Sequence, residues 1–173
     1  RTDDWQRGTI WEENIIYRAN AGAWEHKGAN SIINNYAIDV LPAGYFRMSA
    51  SRGAGNVVDN SVIERNIFYS PNGAAVFYTF LSNQGAQQLA TSKVDHNLYY
   101  AKGVAETGTP KFLADLRAAG VAQTDAYADP MFVSLKPRDF RLRPDSPALK
   151  MGIKQIDLKG VGLTSAFPKW LME

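Results

Sequence analysis

Two carboxylates occupy matching places near the start of the chain. Asp4 lies ten residues before Asn14, and Glu25 lies ten residues before Asn35. If the two asparagines mark the same point on successive turns of a repeating backbone, both acids stand in one column on neighbouring strands, about 4.7–4.9 Å apart. Retaining glycosidases hold their two carboxyl groups roughly 5–5.5 Å apart, one as nucleophile and one as acid/base. The spacing therefore predicts Asp4 and Glu25 as a catalytic pair.

The charges of such a pair fit the same chemistry. Two carboxylates this close do not both ionise easily, so we expect the pKa of one to be raised and that group to serve as general acid. Polar and aromatic neighbours are predicted to bind a sugar by hydrogen bonds and ring stacking; they are Asp3, Trp5, Trp24, His26 and Lys27. The alternative is that the acids are solvated charges at a strand edge.

A fourfold repeat must position these residues. Segments 10–17, 31–38, 62–69 and 93–100 align on four asparagines, spaced 21, 31 and 31 residues apart: Asn14, Asn35, Asn66 and Asn97. Each segment contains two short stretches of alternating polarity, which is typical of strands. Asparagine tolerates left-handed backbone angles, and stacked asparagines form an amide ladder, so the column is expected to turn the chain and to bond from turn to turn. The pattern predicts an all-β fold, a right-handed parallel β-helix or solenoid. The alternative is a β-sandwich with chance repeats.

Later turns add two candidate binding residues. Segment 43–48 repeats the shape of 21–26, which stacks Arg47 directly after Glu25. Arg47 either holds a sugar hydroxyl or carboxylate, or pairs with Glu25 as a surface charge, and the second interpretation is favoured. Tyr78 lies near the same column and is a candidate stacking platform, although aromatic residues there are more often packed, as expected for Phe77.

The chain divides into a repeating part and a closing part. Residues 1–104 are predicted to form the coils, and residues 105–173 a helix and cap of the same domain. The helix is expected over 109–120, with Pro110 in its first turn and Gly120 as C-cap. Phe132, Phe140 and Leu142 are expected to plug the open end of the last coil. The tail from 154 should pack along the outside through its apolar residues Phe167, Trp170 and Leu171. Because no capping helix precedes the first coil, we expect the chain to be the C-terminal part of a longer β-helix, with the preceding coils in a companion chain or fragment.

The motifs near the start resemble a known class of enzymes. Asp4-Trp5 with Gly8-Thr9, the segment 14–17, the run 25–28 and Asn34-Asn35 are similar to β-helical glycoside hydrolases of the β-xylosidase type. The resemblance implies Asp4 as nucleophile and Glu25 as acid/base. The chain departs from that pattern in its shorter Glu-His-Lys-Gly run and in Asp3, and a related set of hydrolases with an Asp-Asp pair and an H-x-G segment fits equally well. The D-P-x-F, D-F-x-L and S-P-A series over 129–148 resembles the closing segment of bacterial β-helix carbohydrate enzymes, which implies a secreted or periplasmic location.

The composition limits the classes of molecule that the chain is expected to bind. The 173 residues carry a net charge of +2 with scattered basic residues, so neither a nucleic-acid nor a membrane surface is indicated. With two histidines and no cysteine, a zinc site is not expected; no cofactor is predicted, although the Asp-rich turns leave room for a structural calcium ion. The expected partner is a plant or microbial carbohydrate. Two other functions remain open: a polysaccharide lyase using Lys27 and Arg47, and a non-catalytic, carbohydrate-binding segment of the adhesin or tail-spike kind.

Overall fold

The structure, a computed structural model, describes most of the chain. The described residues are 6–20, 22–40, 44–48, 58–73, 75–81, 84–104, 108–135, 139–159 and 161. Asp3, Asp4 and Trp5 lie outside these ranges, as do the predicted tail anchors Phe167, Trp170 and Leu171. The regular secondary structure of the described part is mostly β-strand with few helices, as the sequence predicts.

Twelve of the described strands build three parallel sheets. In chain order these strands are β1 Ile10–Glu12, β2 Ile15–Tyr17, β3 Trp24–His26, β4 Ser31–Ile33, β5 Tyr36–Ile38, β6 Phe46–Met48, β7 Val62–Glu64, β8 Ile67–Ser70, β9 Tyr78–Phe80, β10 Lys93–Asp95, β11 Leu98–Ala101 and β12 Ala126–Tyr127. The first sheet has the order β1-β4-β7-β10, the second β12-β11-β8-β5-β2, and the third β3-β6-β9. The chain thus visits the three sheets in turn and pairs each strand with the equivalent strand of the next circuit.

The asparagine column forms the predicted amide ladder between the first and second sheets. The Nδ2 atom of Asn14 donates to Oδ1 of Asn35 (3.0 Å), Asn35 to Asn66 (3.1 Å), and Asn66 to Asn97 (2.9 Å). Backbone N–H groups of the same residues donate to the same oxygens, as in Asn35 N to Asn66 Oδ1 at 2.9 Å. Asn35, Asn66 and Asn97 therefore each satisfy donors of the preceding circuit in a buried turn, where unpaired groups would be costly.

The turn itself is made by a different residue from the one predicted. The ladder asparagines do not have positive φ; the left-handed residue is the one before each of them. These residues are Glu13, Asn34, Arg65 and His96, with φ between 53° and 56°. The prediction that the ladder asparagine supplies the left-handed angle was wrong, because its amide bonds to the neighbouring circuit leave the bend to the preceding residue.

One hydrophobic core lies between the three sheets. Strands of all three contribute buried side chains, among them Ile32 and Ile63 from the first sheet, Phe68 from the second and Phe46 from the third. Phe68 and Tyr99 stack with ring centroids 5.0 Å apart. The repeat spacing brings equivalent apolar residues together from circuit to circuit, so the core is continuous along the stack.

A second core covers the outer face of the second sheet. Tyr36, Ile67 and Leu98 point away from the first core and pack under the C-terminal segment. That segment contains the antiparallel hairpin of β13 (Phe132–Ser134) and β14 (Asp139–Leu142), followed by the short helix α2 (Pro147–Lys150). Phe140 and Leu142 belong to this outer core, and Phe132 packs against it. The prediction that they plug the end of the last coil was wrong, because the apolar surface available to them is the side of the sheet.

Helix α1 (Lys111–Ala118) packs against the first core, where the sequence predicted that Phe132, Phe140 and Leu142 would pack. Its Leu113 and Leu116 are buried in the first core, and Phe112 packs against that core beside Phe77. Pro110 precedes the helix as N-cap, and Gly120 follows it with φ +88°. The predicted helix is therefore confirmed, shortened at both ends. A 3₁₀-helix over Gly85–Leu89 lies next to it.

Candidate functional site

Glu25 lies on the outer side of the third sheet, in a column with two other polar side chains. The register pairs Glu25 with Arg47 and Arg47 with Thr79. In strands β3 and β6 the flanking residues are buried and the central one is half-buried, so Glu25 and Arg47 point away from the core. The predicted stacking of Arg47 directly after Glu25 is confirmed. Thr79 was not predicted here.

Two glycines permit the tight entry into this sheet. Gly22 and Gly44 precede β3 and β6 with φ of +93° and +94°, a conformation that residues with a side chain rarely adopt. A Cβ atom on Gly44 would lie 2.7 Å from Oγ1 of Thr79, which is too close for any side chain. These turns fix how the three strands stack and therefore hold the Glu25 column in register.

A lysine lies beside Glu25. Nζ of Lys27 lies 4.0 Å from Oε1 of Glu25, and their side chains are 9% and 24% exposed. Among the described residues no ion pair joins Glu25 to Arg47, so the favoured interpretation of Arg47 as the surface partner of Glu25 was wrong. The Glu25 side chain remains partly accessible, while that of Lys27 is almost covered.

His26 is a buried polar residue rather than an exposed ligand contact. It is fully buried, and its Nε2 lies 2.7 Å from Oγ of Ser61, which in turn donates to the Gly28 carbonyl at 3.0 Å. Because that hydroxyl hydrogen is used on Gly28, Nε2 of His26 carries the ring hydrogen. Burial lowers the pKa of His26 to about 4, so the imidazole is neutral at pH 7. The arrangement positions the turn that follows Glu25.

Two predicted stacking platforms lie in the first core. Trp24 is 3% exposed and stacks on Phe46, with ring centroids 5.9 Å apart. Tyr78 is 7% exposed, and its hydroxyl lies 2.9 Å from that of Tyr99. Neither ring has a free face for a sugar, and this corrects the prediction that they bind substrate. The alternation of β9 turns Tyr78 inward and Thr79 outward, and burial of Phe77 is confirmed at 4% exposure.

The other half of the predicted carboxylate pair cannot be placed beside Glu25. Asp3, Asp4 and Trp5 lie outside the described residues. The nearest described contacts show the same offset of 21 residues: the Gly8 N–H donates to Ala29 O at 2.8 Å, and the Thr9 N–H to Asn30 Oδ1 at 2.9 Å. The catalytic pair stays a prediction.

The described ranges contain neither a grouped set of metal ligands nor a membrane-spanning helix. Within those ranges no three histidine or acidic side chains are grouped so that they could hold a metal ion. None of the described helices is both long and apolar enough to cross a membrane.

Comparison with known proteins adds no further information on the site: no family model matches the chain, and no curated protein or solved structure is significantly similar to it.

Proposed function

We propose that the chain is part of a glycoside hydrolase that cleaves plant or microbial oligosaccharides or polysaccharides with retention. The observation that carries the proposal is the position of Glu25. Its side chain is 24% exposed on the outer side of a parallel sheet, beside the nearly covered side chain of Lys27 and in register with Arg47 and Thr79. A partly accessible carboxylate on rigid strands, flanked by hydrogen-bonding side chains, suits acid/base catalysis at a bound sugar.

The proposed scaffold is a right-handed parallel β-helix. Three observations support it: parallel strands that pair from circuit to circuit, one core shared by three sheets, and an asparagine ladder. In such a scaffold a column of side chains advances by one strand spacing, about 4.8 Å, per circuit. Consecutive subsites for sugar rings can therefore be supplied by consecutive circuits, and Arg47 and Thr79 continue the column that Glu25 occupies.

In the proposed mechanism two carboxyl groups share the reaction. Asp4, assigned from sequence alone, attacks the anomeric carbon while Glu25 donates its proton to the departing glycosidic oxygen. Glu25 then removes a proton from water, which attacks the same carbon and releases Asp4. Lys27, whose Nζ lies 4.0 Å from Oε1 of Glu25, positions that carboxyl group. Arg47 and Thr79 hydrogen-bond the sugar hydroxyls.

Substitution of the two acids tests the assignment. Glu25→Gln and Asp4→Asn should each reduce turnover of aryl glycosides by about 10²-fold or more, the usual contribution of a positioned acid or base. Glu12→Gln is the matched control, because Glu12 is exposed on the first sheet. Thermal unfolding of each variant shows that the fold is intact. Full turnover in both acid variants would remove Asp4 and Glu25 from the mechanism.

A polysaccharide lyase is the second candidate, favoured by the cations of the same face. Lys27 and Arg47 flank Glu25, and a lyase needs a basic residue to remove a proton beside a uronate carboxylate. Incubation with polyuronate separates the two reactions. A product that absorbs in the ultraviolet as an unsaturated uronate supports the lyase, whereas a saturated reducing sugar supports the hydrolase. No product from any glycoside or polyuronate would favour a binding segment without catalysis.

A further inference from the structure

A cleft lies on a different side of the molecule from Glu25. It has a volume of about 600 Å³ and opens where the strands of the second sheet end against the C-terminal segment. Its size falls within the range of small-molecule and cofactor sites. None of its described lining residues belongs to the third sheet, so a ligand there would not contact Glu25.

One wall is a row of polar side chains, supplied by successive circuits. Arg18, Asp39 and Lys102 each follow a strand of the second sheet, and Asn72 lies in the turn after β8. Backbone hydrogen bonds join these circuits: Arg18 N donates to Ile38 O at 3.0 Å, Asp39 N to Tyr69 O at 3.0 Å, and Lys102 N to Ser70 O at 2.8 Å. Arg18 and Asp39 share one register position, and Lys102 lies one residue beyond it. Four circuits cover three strand spacings, roughly 14 Å, which is long enough for more than one sugar ring.

The middle of this row is held in place by its own contacts. Nε of Arg18 lies 3.3 Å from Oδ2 of Asp39, and Nδ2 of Asn72 donates to Oδ1 of Asp39 at 2.7 Å. The Arg18 guanidinium also lies 5.1 Å from the ring centroid of Tyr17. Three planar polar groups with fixed positions can bond neighbouring hydroxyls at low entropic cost.

The opposite wall comes from the C-terminal segment. Asp129, Phe132 and Arg143 line it, together with Met131, Ser134 and Leu135. Oδ1 of Asp129 accepts the Met131 N–H at 2.8 Å, and Phe132 packs edge-on against Tyr69 with ring centroids 5.6 Å apart. The cleft therefore combines an apolar base with polar edges, the composition that suits a saccharide.

Two charged groups of the cleft, Lys102 and Asp129, have no ion-pair partner among the described residues, and Lys102 is the one that can bind an anionic group. Arg18 is neutralised by Asp39, and Arg143 lies 3.3 Å from Asp145. The Lys102 side chain is exposed, and no carboxylate among the described residues pairs with its ammonium. We infer that the cleft is a second saccharide-binding site, selective for acidic sugars, in which Lys102 binds the sugar carboxylate and Asp129 accepts hydroxyl hydrogens. The inference is independent of catalysis at Glu25.

Titration of the whole chain with two probes tests the inference. Tri-galacturonate is the acidic probe and galactotriose the neutral one, and backbone amide shifts in NMR locate each. We expect tri-galacturonate to shift the amides of Asn72, Lys102 and Met131 and to bind more tightly than galactotriose. Lys102→Ala should weaken tri-galacturonate binding about tenfold, the loss of one charge-assisted hydrogen bond, and leave galactotriose unchanged. Lys150→Ala removes an exposed charge outside the cleft and is the matched control.

The outcomes separate this site from the proposed active site. Shifts confined to Glu25, Arg47 and Thr79 would support the proposed function and overturn the second site. Equal affinity for both probes, equal loss in Lys102→Ala and Lys150→Ala, or absence of binding would also overturn it. Binding in the cleft without any turnover of glycosides would support the second saccharide site and contradict the proposed hydrolase.

Discussion

At the scale of single residues, the asparagine ladder ends in an aspartate, Asp125, which the repeat alignment does not predict. Asp125 takes the place of a fifth asparagine: it accepts from Asn97 N at 2.9 Å and from the Tyr99 hydroxyl at 2.9 Å. Burial raises the pKa of Asp125 to about 6, although the hydrogen bonds from Asn97 and Tyr99 lower it. Burying this ionised carboxylate in the ladder therefore costs more free energy than burying the neutral amide of an asparagine would.

The pH dependence of Asp125→Asn follows from this raised pKa. A folded-state pKa above the ordinary value of 3.8 means that the neutral carboxyl stabilises the fold at low pH. That contribution is lost as pH rises from about 4 through 6, by about 3 kcal/mol if the whole shift is expressed. The variant should therefore gain stability relative to the parent across this interval, as measured by denaturant unfolding between pH 4 and 7. Asp115→Asn, which changes an exposed carboxylate on α1, should show no comparable trend, and a flat difference for Asp125→Asn would contradict the prediction.

The sequence contained a signal for Asp125 that the repeat alignment left out. Thr124-Asp125-Ala126-Tyr127 has the shape of His96-Asn97-Leu98-Tyr99, with a spacing of 28 residues instead of 31. Aspartate offers the same two acceptor positions as the asparagine oxygen but no amide donor, so it can close a ladder without continuing it. An alignment restricted to asparagine cannot find a terminal rung of a different residue type.

At the scale of elements, the ladder should stabilise the stack unequally along its length. Asn66 is fully buried, donates to Ile32 O at 2.8 Å and accepts from the backbone of Asn35. Asn66→Ala leaves buried groups of two neighbouring circuits unpaired and should cost about 2–4 kcal/mol of unfolding free energy. Asn14→Ala should cost less, because Asn14 is exposed and the described structure gives its Oδ1 no donor from a preceding circuit.

Urea unfolding of the two ladder variants measures this gradient. Asn20→Ala is the control, since Asn20 is exposed and outside the ladder. Equal losses at positions 14 and 66 would show that the amides contribute locally and not as a ladder.

Strand positions could be predicted best for the sheets whose strands lie directly beside the ladder asparagines in the sequence. The first two sheets flank the asparagine column directly, so their strands and register followed from the sequence. The third sheet is separated from it by connections of different lengths, and a shift of one residue exchanges inside and outside. That shift explains why Tyr78, and not Thr79, was assigned to the outer face. Asp4 was assigned by the same reasoning and stays untested.

At the scale of the whole molecule, the second sheet joins the two cores. In β8 both faces are covered: Phe68 points into the first core and Ile67 and Tyr69 into the second. Strands buried on both faces have continuous apolar sequences, as in 67–69 and 98–100. The sequence therefore held the evidence for an outer cover, although the same apolar residues in the C-terminal segment fitted an end plug equally well. Only the three-dimensional arrangement distinguishes a side from an end.

Because the two cores share this sheet, the hairpin and β8 should unfold together. Phe140 is 7% exposed and packs on Tyr17 with ring centroids 5.1 Å apart, so Phe140→Ala should cost about 3–5 kcal/mol. Native-state hydrogen exchange should then show the same loss of protection, roughly a hundredfold or more, in the amides of β14 and of β8. Val133→Ala on β13 is the matched control, since Val133 is 47% exposed and should change neither strand appreciably. If β14 lost protection while β8 kept it, the C-terminal segment would be a separately opening cover, and the second sheet would draw its stability from the first core alone.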